Sequence, residues 1–245
     1  FDYLSYLGTD KMSAEQIASE MYAIACSFGL SAGTNQSWIE ISGLSENMGK
    51  AMEIVEGLIA GAQPNEEILQ NLKGDMIKSR ADAKLNQSRC FGALQRYMIY
   101  GSDFIRRTTL TDPALQGLTS EQLLAKIGDL MGKQHEVLYY GPQDEAEVKA
   151  ALAAHHKVAA DLQPLEKKFS TLQPTDENKV MLAQYDAKQL YYMQYSNRGE
   201  KFDLAADPQI TLYNEYFGGG MNTIVFQEMR EARGLAYSAW ANLAI

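Results

Sequence analysis

The stretch from Ser13 to Ile59 admits one local arrangement, helix, hairpin, helix, and that arrangement limits what the rest of the chain can build. Ser13 followed by Gln16 makes a capping box, in which two side chains satisfy amides that a helix start leaves open. Behind it Ile17, Met21, Ile24, Ala25 and Phe28 fall on one face at helical spacing. Met48, Ala51, Met52, Val55, Leu58 and Ile59 form a second amphipathic face, and Pro64 punctuates its end. Between them lie Leu30 to Ala32 and Trp38 to Leu44, separated by Gly33-Thr34-Asn35-Gln36. This predicts a hairpin whose second arm alternates Ile39 and Ile41 against Glu40 and Ser42, in a sheet with one covered face.

Beyond Pro64 the pattern stays helix-rich. Residues 65–86 and 87–100 read as two helices, the first with Ile68, Leu69, Leu72 and Met76 as its inner stripe. Thr119 and Gln122 form a second capping box, for a helix through Met131. His135 to Tyr140 reads as a short strand stopped by Gly141-Pro142, and Glu145 to Ala154 as a helix. Pro164 and Pro174 forbid a continuous helix through an aperiodic polar stretch, which makes residues 159–178 the linker between domains 1–158 and 179–245. Past the linker, Val180 to Tyr185 and Gln189 to Tyr195 alternate like paired strands. Residues 208–217 read as a helix, and Gly218-Gly219-Gly220 leads into another over residues 223–233.

An internal echo links the two parts. Tyr6-Leu7-Gly8 precedes a helix that ends near Gly29-Leu30-Ser31-Ala32, and Tyr216-Phe217-Gly218 precedes one that ends near Gly234-Leu235-Ala236-Tyr237. An offset of domain size is what two copies of one unit would leave.

Composition removes several classes of partner. The net charge of -9, without a basic cluster, repels a phosphate backbone, so nucleic acid is not an expected partner. No apolar run approaches the ~20 residues that cross a bilayer, so no membrane span is expected. Cys26 and Cys90 lack any CxxC or Cys/His spacing and read as small buried hydrophobes ahead of a disulfide. The apolar opening from Phe1 and the strand-like close from Ala239 to Ile245 lead us to expect a piece cut at both ends. Compartment stays open between bacterial cytoplasm and periplasm.

The run from Tyr216 to Ala239, YFGGGMNTIVFQEMREARGLAYSA, resembles the insulinase/pitrilysin zinc metallopeptidases. They carry a glycine turn, a helix with an aromatic followed by Glu and Arg, and then Arg-Gly-Leu-Ala-Tyr-Ser. The run from Tyr6 to Leu44 is similar to another repeat of the same family. The resemblance implies an α+β fold, a two-layer α/β roll with an antiparallel sheet of the mitochondrial-processing-peptidase-like metallohydrolase type. It is repeated, and here incomplete at both ends. It also implies a third-type domain lacking its first strands over residues 1–158 and the start of a fourth-type domain over 179–245.

The family's hydrolytic motif is HxxEH on a helix, where histidines four apart ligate zinc and the Glu activates water. The chain's 3 histidines, His135, His155 and His156, cannot build it. No metal site and no complete catalytic set is therefore expected here; the resemblance implies that zinc is held by a missing N-terminal half, on the same or a separate polypeptide. What the chain offers is Arg230 and Tyr237, seven apart with Gly234 between them. Gly234 is expected to end the helix, leaving Arg230 in its last turn and Tyr237 on a following strand. The resemblance implies that both bind a peptide substrate beside the metal. A guanidinium offers donors to a substrate carbonyl, and a phenol can support the charge of a tetrahedral oxyanion. The plainer reading is that Arg230 caps carbonyls and pairs with Glu228 or Glu231, while Tyr237 packs on a sheet. A non-catalytic scaffold or peptide-binding subunit of the same family fits the same residues.

The glycine run carries no following Lys-Ser or Lys-Thr, so it reads as a tight turn ahead of a phosphate loop. Tyr139-Tyr140 and Tyr191-Tyr192 read first as cross-strand partners, one of each pair being able to line a chamber.

Overall fold

The computed structural model describes residues 1–33, 36–165, 171–197, 199 and 203–244. The chain divides into two compact units, Phe1–Thr171 with Met181–Tyr192, and Leu172–Val180 with Met193–Ile245.

In the first unit both predicted capping boxes form. Ser13 Oγ accepts the Gln16 amide at 3.2 Å, and the Gln16 side chain accepts the Ser13 amide at 2.8 Å. They open α1 (Ala14–Ala23), and Thr119 and Gln122 do the same for α6 (Ser120–Met131). Strand β1 spans Cys26–Ala32 and β2 spans Ser37–Gly43, paired antiparallel from Cys26 opposite Gly43 to Ala32 opposite Ser37. The first arm is thus longer than the predicted 30–32. Ala25, at φ 52, ends the helix abruptly, and Phe28 moves from the expected helix face into the ladder. Pairing with β2 supplies the backbone bonds that local preference alone did not require. Thr34 and Asn35 of the expected turn lie outside the described residues.

Phe28 pairs with Ile41 and Leu30 with Ile39, so these four side chains share one face. Phe28, Leu30 and Ile41 pack against the core. The centre of that core is α2 (Met48–Gly61), which buries Ala51, Met52, Ile54, Val55, Leu58 and Ile59. Around it stand Leu4, Leu7, Ile17, Met21, Leu69 and Ile127.

Helix α3 (Glu66–Lys84) and α4 (Gln87–Thr108) begin at the side-chain caps Asn65 and Asn86. A kink at Gly101, φ 75, carries α4 past the predicted end to Phe104, which stacks on Tyr100 at 4.4 Å between centroids. Helix α5 (Asp112–Gln116) follows, and buried Lys73 donates from Nζ to the carbonyls of Gln116 (3.1 Å) and Leu118 (2.5 Å). The Tyr3 phenol donates to Ser120 Oγ at 2.7 Å and accepts the Asn65 amide at 2.8 Å, which ties the chain start to two helix starts. Helix α7 (Glu145–His155) has a third capping box, Asp144 with Glu147.

The second unit is helical among its described residues. It holds α8 (Asp207–Phe217) and α9 (Ile224–Phe226), which runs on as a π-helical stretch, Gln227–Ala232. The Gly218 carbonyl accepts the Ala241 amide at 3.3 Å, and a Cβ on Gly218 would run into the Ala241 backbone. The glycine turn therefore lets two backbones meet. Gly8, its counterpart in the echo, does the same in the first unit: its carbonyl accepts the Gln63 amide at 2.9 Å. Asn214 clamps the Leu243 amide and carbonyl, both at 2.8 Å.

Among the described residues the sheet holds two strands, so the strands expected at 135–140, 180–185, 189–195 and after Gly234 are not formed. Alternation gives such a segment an apolar side but no hydrogen-bonding neighbour, and a strand exists only in a ladder. Tyr191 packs instead against Phe91, with centroids 5.5 Å apart. The fold is α+β, mixed helix with a small antiparallel sheet. Cys26 is buried, Cys90 half-buried, and both are free. No helix among the described residues is long and apolar enough to cross a membrane.

Candidate functional site

Thr223 opens α9 from a buried position, its hydroxyl donating to the Gly220 carbonyl at 2.6 Å. The helix widens into π geometry at Gln227, a rare form that recurs at functional sites. It closes on Gly234, where φ is 58. The Gly234 amide donates to the Arg230 carbonyl at 3.0 Å, the bond of a left-handed glycine cap. The Leu235 amide reaches back to the Met229 carbonyl at 2.8 Å, two residues further than an α-helix would ask.

This reversal folds the chain back over its own helix. The Arg230 guanidinium carbon lies 4.9 Å from the centre of the Tyr237 ring, so the two sequence-predicted residues are in direct contact across the glycine break. The same carbon lies 4.8 Å from the ring of Phe226, within cation–π reach. Arg230 Nε is also 3.5 Å from Glu231 Oε1, whereas Glu228 pairs with Arg233. Tyr237 sits on irregular chain and is 87% exposed, so the expected packing of its ring on a sheet is replaced by contact with the guanidinium. Sequence reasoning did not single out Phe226. Its spacing of four from Arg230 on a helix was the available signal.

The histidines form a separate group in the first unit. His156 Nδ1 lies 2.5 Å from Glu56 Oε1, and its Nε2 lies 2.8 Å from His135 Nε2. His135 Nδ1 meets the Lys133 carbonyl at 2.8 Å, and His155 Nδ1 is 3.1 Å from Glu53. Among the described residues no three His, Cys, Asp or Glu side chains come together as a metal site. The sequence holds no HxxEH, so the described residues do not assemble the ligand set that motif would supply to a zinc. An open polar groove of about 390 Å³ lies in the first unit, lined by Asp75, Lys78, Ser79, Asp82, Asn86 and Arg89. Its charges are mixed, and Arg230 and Tyr237 are not part of it.

An α+β chain whose described residues form no metal-ligand group, with a half-buried arginine against an exposed tyrosine behind a glycine turn, is the kind of domain these observations define. No family model matches the chain. It is 24% identical over 247 residues to an uncharacterized zinc protease of Rickettsia bellii, covering 97% of this chain and 57% of that protein. It is 22% identical to an uncharacterized zinc protease of Streptomyces coelicolor, covering 98% and 54%. Among solved structures it is similar to the peptidase M16 inactive domain from Pseudomonas fluorescens, with TM-score 0.63, 18% identity, and 98% and 58% of the two chains covered. The chain spans about half the length of the curated relatives it matches. The chain is thus similar in sequence to two proteins named zinc proteases, and its fold is like that of a domain named for peptidase M16.

Proposed function

We propose that this chain is the C-terminal, metal-free half of a zinc metallopeptidase that degrades or processes peptides, and that Arg230 and Tyr237 hold substrate for the other half. In this reading residues 1–158 are a third-type repeat domain, 159–178 a linker and 179–245 the start of a fourth-type domain. The carrying observation is the contact of the guanidinium with the Tyr237 ring across Gly234, within the segment that resembles the family. Arg230 donates N–H groups to a peptide carbonyl. The exposed Tyr237 hydroxyl donates to the oxygen on which negative charge builds as the carbonyl is attacked. Neither group cleaves by itself. Zinc belongs to the N-terminal half, and peptides are the substrates.

The test is peptide cleavage by the full-length protein. Tyr237→Phe is expected to lower kcat/KM by about a hundredfold, the scale of losing one oxyanion donor. Arg230→Ala is expected to raise KM and lower kcat/KM. Unchanged kcat/KM in both variants overturns the assignment. A second reading, a non-catalytic peptide-binding subunit, is favoured by the likeness to a domain named inactive. It requires a full-length protein without bound zinc, so its zinc content separates the two.

A further inference from the structure

The sequence reading sets one ring, that of Tyr237, beside Arg230 in a common site, yet two rings reach its guanidinium. Phe226 stands four residues earlier on the same helical segment, and its ring centre is as close to the charge as that of Tyr237, 4.8 Å against 4.9 Å. We propose that Phe226 is a positioning residue that fixes the Arg230 guanidinium for peptide binding. The proposal rests on the reading of Arg230 as a substrate-binding residue.

The chemistry of the partner carries the argument. A carboxylate facing a guanidinium takes up its N–H donors and cancels its charge. A ring face attracts the same cation through its quadrupole and leaves the donors unspent. Among the described residues only the Glu231 carboxylate approaches the guanidinium, at Nε and at 3.5 Å, and no acceptor hydrogen-bonds the two terminal nitrogens. Phe226 has no polar atom at all, so its contribution is the ring face alone. An arginine has many rotamers, and one whose head is already held loses less freedom when substrate binds. Phe226 and Arg230 are both half-buried, whereas Tyr237 is exposed. Phe226 is therefore the inner wall of the arrangement and Tyr237 the outer, solvent-facing one.

Two variants in the full-length protein separate ring face from bulk. Phe226→Leu keeps an apolar side chain and removes the π face, and is expected to raise KM for peptide about fivefold with kcat little changed, the scale of one cation–π contact. Phe226→Tyr keeps the face and is expected to restore KM. The side-chain NMR signals of Arg230 in this chain are expected to lose part of their ring-current shift in Phe226→Leu and retain it in Phe226→Tyr.

An unchanged KM in Phe226→Leu, alongside impaired cleavage by Arg230→Ala, overturns the positioning role and leaves the reading of Arg230 standing. An Arg230→Ala variant with unaltered cleavage overturns that reading, and with it this one. Equal loss in the leucine and tyrosine variants assigns Phe226 to helix packing and overturns the proposal. Should Phe226→Leu fail to fold, the Arg230 ring-current shift decides: its presence in the parent and in Phe226→Tyr supports the proposal, and its absence in either overturns it.

Discussion

The two units reach helical structure by different means. In the first, α1, α6 and α7 start with capping boxes and α3, α4 and α5 with single side-chain caps. All of the buried hydrophobic side chains among the described residues belong to it, from Tyr3 to Ile127. In the second unit, α8, α9 and the π-helical stretch have no side-chain cap, and the buried side chain is Thr223. Its ends are set by glycines, by Asn214 and by Asp203, whose carboxylate accepts the Ala205 amide at 2.9 Å on the single turn leading into α8. The first unit is thus stabilised by removing apolar surface from water, and the second by a few directed hydrogen bonds, each with a small net contribution. Exposed aromatic rings and a positioned arginine remain available in the second because little is packed over them. Segments that bind and move are drawn from the least stable parts of a fold.

The widest gap between the units is expected in their response to truncation. Leu58→Ala, in the middle of α2, removes a side chain only 2% exposed and is expected to cost the first unit about 2–5 kcal/mol in urea unfolding. Leu212→Ala on α8, where the leucine is 71% exposed, is expected to stay within about 0.5 kcal/mol. Equal losses would erase the contrast.

A backbone change sharpens it from the other side. Gly234→Ala forces a side chain onto φ 58 and is expected to cost about 1–2 kcal/mol, confined to the second unit. Amide hydrogen exchange should quicken across residues 227–235 and stay unchanged in α2. A slowdown at Leu235, or a change spread over both units, would contradict local capping by this glycine.

The smallest effect concerns acid. The Ser120 amide donates to Glu66 Oε1 at 2.7 Å and, as the main cause, holds the Glu66 carboxyl below its ordinary range. A carboxyl whose folded value is lowered stabilises the fold fully above its unfolded value and loses that contribution as pH falls through the folded one. Glu66→Gln should therefore lower the melting temperature of the first unit slightly at neutral pH, with the two curves converging in acid. A difference independent of pH would remove Glu66 from that role.

Most helices, and the central pair of the candidate site, were legible in the sequence because their causes are local. A capping box spans four residues, the stripe from Met48 to Ile59 repeats within a turn, and Gly234 separates Arg230 from Tyr237 by a single reversal. Such interactions are fixed by near neighbours whatever the rest of the chain does. Tertiary structure decided the matters that need a distant partner. The ladder starting at Cys26, the buried Lys73 under the carbonyls of Gln116 and Leu118, and the contact of His156 with Glu56 join residues that sequence spacing cannot relate. The alternating segments after Val180 show the same limit from the opposite direction. Alternation marks which side of a strand would be covered, but the hydrogen bonds that make it a strand belong to another segment.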